Sequence, residues 1–189
     1  MSRLIRLTSL LASRSPTAAD STGRSEASVA LVWALDPLAL LLIRRAEHPK
    51  DPWSGQMGLP GGRRGVGDED LLATAIRETA EEVGVDLSGA LNLGALDDLA
   101  PVTAVLPPIL VRPFVFQVEG RPGLRPNAEI AAARWVELDS LLAPGVYDSF
   151  PVEAGGFRIH RQGYALPEGV VWGMTERILT PVLKVLGGN

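Results

Sequence analysis

The chain has 189 residues, 46% of them hydrophobic, enough for one domain with a buried core. Its formal charge of −4 is spread over 22 acidic and 18 basic residues, which excludes general nucleic-acid binding and leaves any polyanionic ligand to be met by local cations. Without cysteine there is no disulfide, thiolate metal site or cysteine nucleophile, so carboxylates, hydroxyls and two histidines remain for chemistry.

Residues 3–24 are rich in arginine and serine, with Asp20 the only acid, a composition shared with organelle leaders. The simpler reading is a helix whose stripe Leu4, Leu7, Leu10 and Leu11 docks on its own domain or on a second copy in a homodimer, followed by a flexible stretch. Two apolar runs, 28–35 and 38–43, are parted by Asp36-Pro37 and predict a hairpin of buried strands. Residues 49–67 are dense in proline and glycine and predict an ordered, functional loop. From 68 to 83 the period turns helical, with Leu72, Ile76, Thr79 and Val83 on one side, and Gly84 supplies a left-handed stop.

Strands are expected at 91–96, 109–118 and 131–136, the second at an edge or bulged because of Pro113. A short helix at 138–142 and a closing helix at 168–186, kinked at Pro181, complete the chain. His160 reads as an ordinary strand residue, and Trp172 as packing in the last helix. Strands on both sides of a long helix imply an α/β protein, layered α/β/α around a mixed sheet. No apolar run approaches the roughly 20 residues of a membrane span, so no membrane partner is expected. The lack of cysteine fits a reducing cytoplasm, the expected location, without requiring it.

The helix at 68–83 carries the chemistry. Glu78, Glu81 and Glu82 stand at i, i+3 and i+4, which predicts carboxylates emerging together on one face, where they repel unless a cation joins them. Hard oxygen ligands on a rigid face suit Mg²⁺ or Mn²⁺, which keep positions open for phosphate oxygens and acidify a water. A structural Ca²⁺ site would need more oxygens than one helix offers. Arg77 is placed to pair with a carboxylate and fix its orientation. Gly61 and Gly62, just ahead, allow close backbone approach to a ligand.

With Arg77-Glu78-Thr79-Ala80-Glu81-Glu82-Val83-Gly84-Val85 on the page, the sequence resembles the Nudix family, whose signature has an arginine, three glutamates and a glycine at this spacing. Ahead of Arg77 the register is ambiguous, leaving either Asp68 or Glu69 as the upstream acid. Thr79 stands where the family has an apolar residue. The resemblance implies a mixed sheet between helices, a leader at 1–27 and a hydrolase domain at 28–189. It implies metal ligation by Glu78 and Glu82, with Glu81 a further ligand or the catalytic base. Glu129, ahead of the Trp135-Val136 strand, resembles a downstream family glutamate and is the alternative base.

Three segments are similar to the coenzyme A pyrophosphatase branch: 41–46, 55–62 and 171–175. The activity so implied is metal-dependent hydrolysis of a diphosphate linkage in a nucleotide such as coenzyme A or an acyl derivative. ADP-ribose, dinucleotide polyphosphates and oxidised nucleoside triphosphates are the other substrates, and a nucleotide sensor without turnover is the alternative from another class. Arg44, Arg45, His48 and Lys50 are the cations available to substrate phosphate, and Trp53 stacks on a base or covers the pocket.

Overall fold

The structure is a computed structural model that describes residues 3–13, 15–49, 51, 53–101, 107–154 and 157–188. In chain order the elements are α1 (Arg3–Ala12), β1 (Ser25–Ala34), β2 (Ala39–Arg45), β3 (Met57–Gly58), β4 (Gly61–Arg63), α2 (Leu71–Val83), β5 (Leu91–Ala95), β6 (Ile109–Val118), β7 (Ile130–Glu137), α3 (Leu138–Leu141), β8 (Tyr147–Ala154), β9 (Phe157–Leu166), β10 (Gly169–Trp172) and α4 (Met174–Gly187).

Seven strands form the main sheet, mixed because β1 runs parallel to β6 while its other pairings are antiparallel. Period-two alternation along β1 explains the layering. Leu31 and Trp33 join α1 and α4 side chains in one core, whereas Ala30, Val32 and Ala34 join Ala75 and Val83 of α2 in the other. The result is the expected α/β/α sandwich. In α1, Leu7 and Leu11 are buried in the α4-side core, while Leu10 is partly exposed; the side chain of Leu4 lies outside the described residues.

The predicted hairpin forms, but β1 and β2 pair only at Trp33↔Leu40 and Ala34↔Ala39. Beyond that they part: β4 takes the edge of β1 and β3 takes the edge of β2. Two short strands inside the expected loop thus fill a split in the sheet, and this split places the site.

Three expectations need adjustment, and one sheet is new. The stretch after α1 is pinned rather than flexible, because Thr17 N donates to Asp97 and Ala19 N donates to Asp98, whose buried carboxylate also receives a two-pronged bond from Arg112 at 2.7 Å. β6 lies inside the sheet between β1 and β5 rather than at an edge, and the bulge is the alternative realised: Leu96 N donates to the Pro113 carbonyl, and between Ala95↔Phe114 and Leu99↔Val111 residues 96–98 face 112–113, so the missing N–H of Pro113 falls at an irregularity. The closing helix starts at Met174, since Val170 and Val171 pair with β9 and Gly173, at φ 69°, breaks the chain ahead of the helix; Trp172 accordingly belongs to a strand, half-buried, rather than to the helix. β8 and β10 join β9, which carries His160, in a three-stranded sheet that the sequence did not disclose. Among the described residues no helix is long and apolar enough to cross a membrane.

Candidate active site

Helix α2 is set by its ends. Asp70, in extended backbone, accepts from Ala73 N at 2.8 Å as N-cap, so the helix begins at Leu71, later than the periodicity indicated. Gly84, at φ 71°, closes it with a bond from its N–H to the Ala80 carbonyl. The buried face is rotated from the predicted stripe. Thr79 and Val83 are buried as expected, but Leu72 and Ile76 are only half-buried, and Thr74 and Glu82 are buried in their stead. Thr79 stands in an apolar position at little cost because its hydroxyl donates to the Ala75 carbonyl at 2.7 Å.

Rotation separates the three glutamates expected to emerge together. Glu82 is 2% exposed and accepts from Gly61 N at 2.8 Å, with Arg45 Nη1 at 3.5 Å. Glu78 is half-buried and pairs with Arg77 at 2.9 Å. Glu81 is 56% exposed along its side chain and pairs with Arg77 at 3.0 Å. Burial, the largest cause, pushes the Glu82 pKa up to about 7, assisted by Glu78 and Glu129 and opposed by Gly61 N–H and Arg45. Burial likewise raises Glu78, against the pull of Arg77.

Of the two upstream acids, Asp68 is the one that meets Arg77. Its carboxylate takes Arg77 Nε and Nη2 at 2.9 Å each, Thr74 Oγ1 at 2.9 Å and Gly65 N at 2.7 Å, and the Arg77 bond holds it well below the usual carboxylate range. Arg77 therefore lies at the centre of a fork joining Asp68, Glu78 and Glu81.

Of these side chains Glu78 and Glu82 border a cavity of about 530 Å³, while Asp68 and Arg77 lie behind them, outside its lining. Glu78, Glu82 and Glu129 line it, together with Arg45, Trp53, Gly61 and Gly62 from the sequence reading; His48 lines it too. Arg44 and Glu81 do not: Arg44 points to the Gly55 carbonyl at 3.4 Å, and Glu81 stays with Arg77. Lys50 lies outside the described residues. The glycines serve the protein's own backbone and carboxylates. A Cβ on Gly61, at φ 149°, would sit 2.2 Å from the Ser28 carbonyl oxygen, and one on Gly62 would sit 2.4 Å from Glu78 Cδ.

Sequence reasoning missed Asp51, which receives Arg45 Nε at 2.8 Å, and Arg63, both cavity-lining. Arg63 follows the glycine pair, and that position was a usable signal. Ile109, Val111 and Met174 also line the cavity; nothing local marks them, because only the parallel β1–β6 pairing and the docking of α4 bring them here.

Three hard oxygen donors on one cavity, one of them buried with a raised pKa, fit a divalent cation in chemical type. They do not form a ready cage: no group of three or more His, Asp or Glu side chains among the described residues could hold a metal ion as arranged.

Residues 25–154 match the family model of the NUDIX domain. An uncharacterised protein of Schizosaccharomyces pombe (strain 972 / ATCC 24843) is 42% identical over 110 residues, covering 56% of this chain and 33% of its own length. The uncharacterised Nudix hydrolase NudL of Yersinia pestis (strain Pestoides F) is 32% identical over 142 residues, covering 74% of this chain and 68% of its own. The match thus spans about a third of the first relative and about two-thirds of the second. A MutT/nudix family protein from Enterococcus faecalis shares the fold, with a TM-score of 0.58 at 18% identity over 97% of this chain and 74% of that one. The family model covers most of the chain, including the Arg77–Gly84 segment from which the site was built, and on that footing the chain is a member of the Nudix hydrolase family.

Proposed function

We propose that the chain hydrolyses a diphosphate linkage in a nucleoside diphosphate derivative, with Mg²⁺ or Mn²⁺ held by Glu78 and Glu82. The observation that carries this is Glu82, a carboxylate 2% exposed on the wall of a cavity large enough for a nucleotide. Burying it costs stability unless a cation compensates, so its position makes sense as a ligand. When bound, the cation supplies charge neutralisation at the diphosphate and acidity to the attacking water.

The remaining work falls to side chains. Glu82 is oriented by Gly61 N–H, and Glu78 by Arg77, which Asp68 holds in turn. Arg45, fixed by Asp51, presents a guanidinium to the diphosphate half of the cavity. Water attacks phosphorus, the bridging P–O bond breaks with its electron pair leaving on oxygen, and the water proton passes to a carboxylate. Glu129 is our choice for that base because it lines the cavity, whereas Glu81 is turned toward Arg77.

Family membership supports nucleotide diphosphates in general, with ADP-ribose, dinucleotide polyphosphates and nucleoside triphosphates as leading candidates. Coenzyme A is a finer reading that rests on the three sequence segments alone. Product analysis after incubation with Mg²⁺ or Mn²⁺ and each of these four classes tests the proposal. Release of two phosphorylated products from at least one class is expected. Tight nucleotide binding without turnover of any would replace hydrolysis with sensing.

A further inference from the structure

The last carbonyls of a helix have no partner within it, and α2 finds two of its partners far along the chain. Gly84 N takes the Ala80 carbonyl, whereas those of Glu82 and Val83 accept from Asn127 N at 2.9 Å and Arg125 N at 2.8 Å. The loop leading into β7 thus docks on the end of the helix that carries Glu82. Just beyond Asn127 on that loop stands Glu129, on the wall of the cavity.

Asn127 reaches Glu129 as well as Glu82. Its Oδ1 accepts from Glu129 N at 2.9 Å, and its carbonyl accepts from Ile130 N at 3.2 Å, which closes a turn with Glu129 inside it. On the other flank Ala46 N donates to the Glu129 carbonyl at 2.7 Å, and Ile130 opens β7 opposite Arg45. Both peptide units beside the Glu129 α-carbon are therefore anchored, one to the end of β2 and the other, through Asn127, to the Glu82 carbonyl.

Glu129 is exposed, so packing does not aim its side chain and the backbone has to. A misplacement of about 1 Å at a reacting group costs on the order of 100-fold in rate. Asparagine often serves left-handed backbone, but among the described non-glycine residues Asp36 alone has a positive φ. Any residue but proline could supply the main-chain bonds of position 127. What asparagine adds there is the side-chain oxygen that holds Glu129 N.

We infer that Asn127 is a positioning residue: it sets Glu129 at a fixed offset from Glu82 and acts on the reaction through Glu129. Asn127 itself does not line the cavity. This rests on the reading of Glu129 as the base and adds the device that aims it.

The test is a double-variant cycle on the full chain, with Mg²⁺ and the nucleotide class that the wild type turns over. It compares Asn127→Ala, Glu129→Gln and the two combined, together with Asn127→Ser, which returns an oxygen acceptor to the turn. Asn127→Ala should lower kcat about 10- to 100-fold with KM nearly unchanged, and Asn127→Ser should recover most of the loss at a similar melting temperature. Glu129→Gln should lose about 100-fold or more, and adding Asn127→Ala to it should cost nothing further. If the alanine variant does not fold, Asn127→Leu, close in shape but without the acceptor, takes its place. A full additional loss in the combined variant overturns the inference, as does Asn127→Ala at the wild-type kcat or a serine variant as slow as the alanine one. In each of those cases Glu129→Gln is still slow. Glu129→Gln at the wild-type rate instead removes the base, and a wild type that turns nothing over removes hydrolysis; the inference falls with either.

Discussion

Helices α2 and α4 flank the same sheet, have nearly equal lengths of 13 and 14 residues, and end on left-handed glycines, yet they obey different rules. In α4 the buried residues are Ile178, Leu179, Val182, Leu183 and Leu186, an uninterrupted apolar stripe. In α2 the buried set includes Thr74, Thr79 and Glu82. Both threonines find hydrogen-bond acceptors within the helix or its cap region, but Glu82 receives one backbone N–H and a distant guanidinium. Burial is thus spent on cohesion in α4, while α2 places an under-compensated carboxylate on the cavity wall, the kind of local violation expected at a functional site.

The contrast breaks first at Glu82. Glu82→Gln keeps the shape and the acceptor for Gly61 N–H but removes the charge. Turnover should drop on the order of 1,000-fold while the melting temperature at pH 8 stays level or rises. Leu179→Ala should do the reverse. Losing a fully buried side chain from the α4 core costs about 2–5 kcal/mol in denaturant unfolding, with kcat per folded molecule preserved. If both variants lose activity and stability together, the division between the helices is wrong.

A smaller effect belongs to Asp68. Asp68→Asn loosens the fork that holds Arg77, and through it Glu78, so activity should fall about 10- to 100-fold as for other partners that orient ligands. Asp68→Ala should do no better, and recovery of full activity in either would remove the orienting role. Smallest of the set, Asp70→Ala removes the α2 N-cap and should cost about 1 kcal/mol without touching kcat, read by chemical denaturation.

The same contrast explains what could be read in advance. Periodicity and caps located both helices, the β1–β2 hairpin and the three strands of the second half of the sheet, because these signals are local. The acid spacing exposed Glu78 and Glu82 for the same reason. What escaped depends on long-range pairing. Val170 and Val171 look like the first turn of α4 until β9 is there to pair with them. Pro113 admits an edge or a bulge until the pairing on its β5 side shows the bulge. Spacing could not separate Glu81 from Glu82, since a small rotation of α2 about its axis buries one and exposes the other. Nor could it choose Asp68 over Glu69, a choice made by Gly65, Thr74 and Arg77 together.

The most direct test follows thermal unfolding of metal-free protein from pH 5 to 8, wild type against Glu82→Gln. Folding raises the Glu82 pKa from its ordinary 4.5 to about 7 and so favours the protonated form. That stabilisation is complete below pH 4.5 and is lost as pH climbs through 7. Asp68, shifted downward, acts the opposite way, contributing above its ordinary 3.8 and failing only on strong acidification, outside this window. Wild type should therefore lose melting temperature relative to Glu82→Gln as pH rises, and Mg²⁺ should restore it at pH 8 in the wild type alone. Parallel curves for the two proteins, with or without Mg²⁺, would contradict the view that α2 buries Glu82 for a cation.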